Sequence, residues 1–169
     1  MIGVFLGFLI SNWSASNRDE EKTSVVLNSI ENEIQSNKSK IENVIDYHRT
    51  LRDSTRYYLN QQFVKPVRPT FFRGVNTVIL NNSAFETAIQ TGLVTNIPVD
   101  EIQRLNDIYG KQESYKQFSN MLLSGLITMG FDGNEKAMKR LLMYLSISMT
   151  DIVIKEEQLL ESYTAALEL

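Results

Sequence analysis

The side chains best suited to chemistry in this chain gather in one stretch: Glu86, Gln90, Tyr109, Gln112, Glu113 and Tyr115. Two carboxylates beside two tyrosines could bind a small polar ligand or move a proton, the carboxylate accepting and the phenol donating. Phe85, Glu86, Tyr109, Gln112 and Tyr115 are therefore the candidate interaction or ligand surface. A plainer account competes for each. Ser83-Ala84-Phe85-Glu86 has the spacing of a capping box, with Ser83 as N-cap and Glu86 reaching back to it. The tyrosines fit amphipathic packing with their hydroxyls at the surface. His48, the single histidine, reads either as a pH-sensitive contact or as a hydrogen-bonded bundle residue, and the second reading is favoured.

The remaining chemistry is excluded by type. The chain has no HExxH, no P-loop, no nucleophile elbow and no Cys or His cluster, the patterns that hold metals, phosphates and nucleophiles. We assign no catalytic residue, cofactor or metal ligand, and expect a protein that is not an enzyme. The absence of cysteine removes disulfides, thiolate catalysis and the commonest zinc sites together. A net charge of -3 with mixed signs lacks the concentrated basic face that nucleic acid requires. At 43% hydrophobic and 22% charged, the composition is that of a folded chain.

Three long helical patterns must position these residues. From Leu27 a three-four repeat runs through Ile30, Ile34, Asn37, Ile41, Val44, His48, Leu51, Thr55 and Tyr58, one narrow stripe as in helical bundles. Its polar members are Asn37, His48 and Thr55; one buried Asn in such a seam can set register. A second stripe carries Leu105, Ile108, Gln112, Tyr115, Ser119, Leu122, Leu126 and Met129. Gly110 and Gly125 weaken this helix without stopping it. A third carries Met138, Leu142, Leu145, Met149, Ile152, Leu159, Tyr163 and Ala166, with Glu156 also on it. Each of these helices is about 45 Å long at the helical rise, and matched lengths describe an antiparallel bundle. Its modest, methionine-rich core invites completion by a neighbouring chain.

Between the first and second helices the signals are shorter. Pro66 and Pro69 end the first helix. Gly74 to Asn82 (GVNTVILNN) could be a strand or a short buried helix, and with no partner strand elsewhere we expect coil or short helix. A helix from Ala84 to Thr91 stops at Gly92, a left-handed C-cap, and is expected to cap the end of the bundle away from the N-terminus.

At the start, Met1 to Ile10 (MIGVFLGFLI) has no polar side chain and is apolar on every face, which places a helix in lipid or deep in a core. Met1 to Trp13 covers roughly 20 Å, too short for a hydrocarbon layer about 30 Å thick. A transmembrane helix lacking its first turns, a signal-peptide core and a buried helix end all compete, and we expect the first. Gly3, Phe5, Leu6, Gly7, Phe8 and Trp13 then form the membrane anchor, with Trp13 at the interface and Gly3-Gly7 in GxxxG spacing. Past Trp13 the charges up to Lys22 are two positive and three negative, which gives no reason to hold them in the cytoplasm. The expected layout is an anchor over 1–16 and a bundle domain over 17–169. The latter divides into a stalk and first bundle helix over 17–62, a short helix over 83–92, and bundle helices over 99–129 and 134–168.

The string SAFETAIQTGLV, then IP, then EIQRLNDIYGKQESY resembles an uncharacterised family of bacterial single-pass membrane proteins. Members begin with an apolar segment ending in Asn-Trp, as Asn12 and Trp13 do here. They continue through a long polar helix to a Ser-Ala-aromatic-Glu-Thr-Ala pattern ending in Gly. The resemblance covers roughly Gly3 to Tyr115 and departs at the very start, where members carry more residues, some basic. It strengthens the anchor reading and supplies no catalytic residues. With the three helical stripes and the charges past Trp13, the expectation is an all-α protein in the bacterial inner membrane with a periplasmic body. The expected function is a membrane-anchored scaffold or accessory subunit, touching membrane lipid and either copies of itself or an integral membrane protein. The alternative is an extracytoplasmic ligand-binding sensory bundle.

Overall fold

The computed structural model describes residues 2–61, 70–129 and 134–168, with the backbone alone for residues 2–18. Its elements are helix α1 (Ile2–Leu59), helix α2 (Ser83–Gln90), a 3₁₀ turn (Leu93–Asn96), helix α3 (Val99–Thr128) and helix α4 (Glu135–Leu167). No strand occurs among the described residues. α1 runs unbroken for 58 residues, as expected of a stretch with no proline and no glycine after Gly7. α3 passes through Gly110 and Gly125 without interruption. Asn134 caps α4, its side chain accepting the Ala137 N–H at 2.8 Å, which satisfies one of the orphan donors of the first turn.

α4 packs against both other long helices. Arg49 reaches Glu157 at 2.9 Å and Arg56 reaches Thr150 at 2.8 Å, so α4 runs antiparallel to α1. Lys111 with Ser162 and Lys155 with Ser114, both at 2.8 Å, make it antiparallel to α3 as well. α1 and α3 therefore point the same way. The stripes read from the sequence face inward: Ile30, Ile34, Ile41 and Leu51, then Leu105, Ile108, Tyr115 and Leu122, then Leu145, Met149, Ile152 and Leu159 are all buried. Among the described side chains of α1, Thr23 is the first that is buried, and its hydroxyl accepts from Asn96; residues 19–22 before it are exposed.

The return from α1 to α3 corrects one expectation. Residues 72–82 form neither helix nor strand. They run as a strap back along α1, with Gly74 opposite Tyr47 and Asn81 opposite Asn37. Gly74 (φ 96°) and Asn76 (φ 55°) take left-handed conformations, which glycine adopts freely and asparagine tolerates. The strap carries the chain back to the end where α1 enters the bundle. α2 thus sits beside Glu33, and the 3₁₀ turn beside Thr23, rather than capping the far end. Gly92 has the expected left-handed backbone (φ 73°).

No helix among the described residues is long and apolar enough to cross a membrane. The physical reason is length: the uncharged, apolar run stops at Ile10 and charges begin at Arg18, about half of the 20 residues a span requires. The side chains of Gly3, Phe5, Leu6, Gly7, Phe8 and Trp13 lie outside the described residues.

Candidate functional site

The strap is half-buried, with Val75 alone in the core, and a segment packed this way without a ladder must find partners for its backbone elsewhere. The strap finds them on α1, α3 and, indirectly, α4. Asn37 clamps Asn81 from both sides, donating Nδ2–H to its carbonyl at 2.7 Å and accepting its N–H at 2.8 Å. This polar stripe position is buried and pairs with main chain as a neighbouring strand would. Lys40 donates to the Ile79 carbonyl at 2.9 Å. The Tyr47 hydroxyl donates to the Gly74 carbonyl at 2.6 Å and accepts the Arg73 N–H at 2.9 Å.

His48 has no exposed surface. Its Nε2 lies 2.7 Å from the Val75 carbonyl, and its Nδ1 lies 2.8 and 3.0 Å from the two oxygens of Glu156. A carbonyl can only accept, so Nε2 carries a proton. The other side holds one proton shared between imidazole and carboxylate. The Tyr115 hydroxyl donates to the same Glu156 oxygen at 3.1 Å and accepts the Val78 N–H at 3.3 Å. Burial, then the Glu156 charge, pushes this phenol well above the usual tyrosine range. One carboxylate from α4, one imidazole from α1 and one phenol from α3 thus close over two residues of the strap.

A second carboxylate organises the start of α2. Glu33 accepts from the Ser83 hydroxyl and the Ala84 N–H, both at 3.0 Å, and from the Tyr109 hydroxyl at 2.7 Å. This replaces the expected capping box. Ser83 belongs to the helix, Asn82 precedes it without a side-chain cap, and Glu86 is exposed and takes the Asn82 side-chain amide. A carboxylate from α1 meets the orphan donors more strongly than a local hydroxyl does. Burial, and then the bond to Glu33, holds the Tyr109 phenol well above its ordinary range. Its ring stacks on Phe85, with centroids 4.5 Å apart and planes 7° apart.

The candidate residues therefore divide. Phe85 is core, Glu86 and Gln90 are solvent-facing, and Tyr115 points under the strap. Tyr109, Gln112 and Glu113 line one groove of about 510 Å³ between α3 and the strap, closed by Leu80, Lys116 and Leu123. Gln112 is buried, and neither of its amide atoms has a hydrogen-bond partner among the described residues; the neighbouring Tyr163 hydroxyl is likewise unpaired. Burial pushes the Tyr163 phenol up, opposed by the adjacent Gln112 amide. Among the described residues no three acidic or imidazole side chains converge as metal ligands would. Glu33 is a residue the sequence did not reveal: it lies beside the apolar stripe of α1 rather than on it. Glu156 was visible only as an acid falling on an apolar stripe. No protein-family model, curated protein or solved structure matches this chain.

Proposed function

We propose that this chain is a membrane-tethered helical scaffold or accessory subunit that acts through protein–protein contacts, without catalysis. The supporting observation is α1 itself, a single helix from the apolar head to the far end of the bundle. An unbroken helix of this kind sets the spacing between a lipid-bound head and a packed body. The buried titratable groups support the same reading, because Glu33, His48, Glu156 and Tyr115 are each engaged in holding the strap or α2. Residues 1–16 serve as the anchor, self-association or an integral membrane partner completes the assembly, and the body lies on the periplasmic side of a bacterial inner membrane. Expression of the full chain followed by carbonate washing of membranes tests the tether. Retention is expected, with release on replacing Phe5, Leu6 and Phe8 by serine; recovery of the unaltered chain in the wash overturns it.

One observation favours a second reading, a sensory bundle that binds a ligand. The groove beside Tyr109 and Gln112 has the volume of a small-molecule site, and an unpaired buried amide flanks it. Ligand-induced thermal shifts across a panel of small polar metabolites, abolished by Leu123→Trp in the groove wall, would establish this reading in place of the first.

A further inference from the structure

α4 carries a second three-four stripe on the side away from its own core. Met143, Ile147 and Ile154 are 59%, 57% and 46% exposed, and steps of four and three place Thr150, half-buried and bonded to Arg56 of α1, between the last two. Extended outward, the same register gives Arg140 and Lys136 at one end and Glu157 and Glu161 at the other. All four of these charged residues are exposed. An amphipathic helix that is apolar on its inner face has no folding reason for this second stripe.

The stripe reads the same from both ends. Reversed about a point midway between Ser148 and Met149, Met143 meets Ile154, Ile147 meets Thr150, Arg140 meets Glu157 and Lys136 meets Glu161. We propose that the outer face of α4 pairs antiparallel with the same face of a second copy of this chain, related by a twofold axis beside Ser148 and Met149. Such an interface is self-complementary, as twofold symmetry requires, and three-four spacing over about 38 Å is the seam of a coiled-coil contact. Charge selects the orientation. A parallel pair would set Lys136 and Arg140 against their own copies, whereas the antiparallel pair sets each base against an acid. Glu157 already bonds Arg49 of its own chain at 2.9 Å and keeps 50% of its side chain exposed, enough to meet a second guanidinium. Among the described residues, Lys136, Arg140 and Glu161 form no ion pair within their own chain. The inference rests on the scaffold reading and gives that scaffold a partner.

The test is the mass of the full chain in detergent by light scattering, with variants on the exposed stripe. The unaltered chain is expected to be a dimer at micromolar concentration. Ile147→Asp should make it monomeric while leaving its helical content and melting cooperativity intact. Lys136→Glu should weaken the dimer about tenfold, since each reversal disrupts two symmetric rim pairs, and Lys136→Glu with Glu161→Lys should restore it. A monomeric unaltered chain overturns the inference, as does a dimer insensitive to Ile147→Asp. A dimer lost on Gly7→Leu but not on Ile147→Asp places the contact in the head and overturns it too. Crosslinking in native membranes separates the two readings: a monomer that still captures another membrane protein ends the second-copy inference alone, whereas capture of nothing ends both.

Discussion

Glu33 and Glu156 are both acids buried in a small helical bundle, and each takes a phenol from α3, Tyr109 in one case and Tyr115 in the other. Their surroundings differ. Glu156 is fully enclosed and shares a proton with an imidazole. Glu33 retains 8% exposure, accepts from neutral donors only, and faces a serine at the surface. The pair shows how three helices accommodate a fourth, non-helical member. A helix in the same groove would satisfy its own backbone. The strap cannot, so its neighbours supply polar side chains, and Glu156 orients two of them, His48 and Tyr115, while Glu33 holds the helix that follows. Where the groove is dry the carboxylate is paired with a group that can carry charge. At the edge a helix start and two hydroxyls suffice.

The largest effects should come from breaking the enclosed site. Glu156→Ala leaves the His48 Nδ1 and the Tyr115 hydroxyl without their shared acceptor, and should cost about 3–5 kcal/mol, read as a lower urea midpoint. Glu156→Gln should keep most of that stability. The imidazole can hold its one proton on Nε2 for the Val75 carbonyl and accept from the amide at Nδ1, and the Tyr115 hydroxyl can donate to the amide oxygen, so only one amide N–H is left without a partner. If Gln proves as damaging as Ala, the site needs a charge rather than a shape.

The edge site should be gentler. Glu33→Ala frees the Ala84 N–H and two hydroxyls at a place water can reach, and about 1–2 kcal/mol is expected. The loss should be local: amide exchange faster at Ala84 and Phe85, little changed at Met149 or Ile152. A global effect as large as that of Glu156→Ala would erase the distinction between the two sites.

Alkali probes both sites together. The folded-state values of Tyr109, Tyr115 and Tyr163 all lie above the ordinary tyrosine value of 10.0, burial being the first cause in each. A raised value means that the folded chain holds its proton where the unfolded chain has lost it. Stability is therefore full below about pH 10 and falls as pH rises beyond it, by about 1.4 kcal/mol per unit for each tyrosine. Tyr163→Phe should flatten this slope by one tyrosine's share. The Tyr163 hydroxyl makes no well-aligned hydrogen bond, although the Gln112 amide beside it opposes the rise, so the same substitution should change stability at pH 7 by less than about 1 kcal/mol. Urea midpoints on either side of pH 10 would show both.

The helices were legible because each obeys its own period. Leu105 to Leu126 and Leu142 to Tyr163 could be read off as core from spacing alone. The strap and its partners could not. Nothing in GVNTVILNN marks which backbone groups will be served by Asn37, Lys40 or His48, because those contacts join residues 27 to 44 positions apart. Glu33 looks like its solvated neighbours Glu31 and Asn32 until α2 is placed beside it. The capping box was a sound local pattern that lost to a stronger distant acceptor. Asn37 and His48 did carry a signal, as polar residues on an apolar stripe, but that signal says only that a partner exists.

The smallest effects distinguish two glycines of α3 that look alike in the sequence. A Cβ at Gly110 meets nothing within 4 Å, so Gly110→Ala should follow helix propensity and stabilise by about 1 kcal/mol. A Cβ at Gly125 would fall 2.0 Å from the Tyr144 hydroxyl oxygen, which lies 3.1 Å from the Leu122 carbonyl and 3.3 Å from that of Met121. That half-buried ring reaches from α4 to α3 toward the end of the bundle remote from Glu33. Moving it forfeits the contact with α3, which offsets the propensity gain, and Gly125→Ala should be neutral or destabilising by about 1 kcal/mol. Thermal melts of the two variants should move in opposite directions or, at the least, only Gly110→Ala should move upward. Equal gains would mean that Tyr144 is free to swing aside and that its contact with α3 adds nothing to the bonds that Lys111 and Lys155 make between α3 and α4.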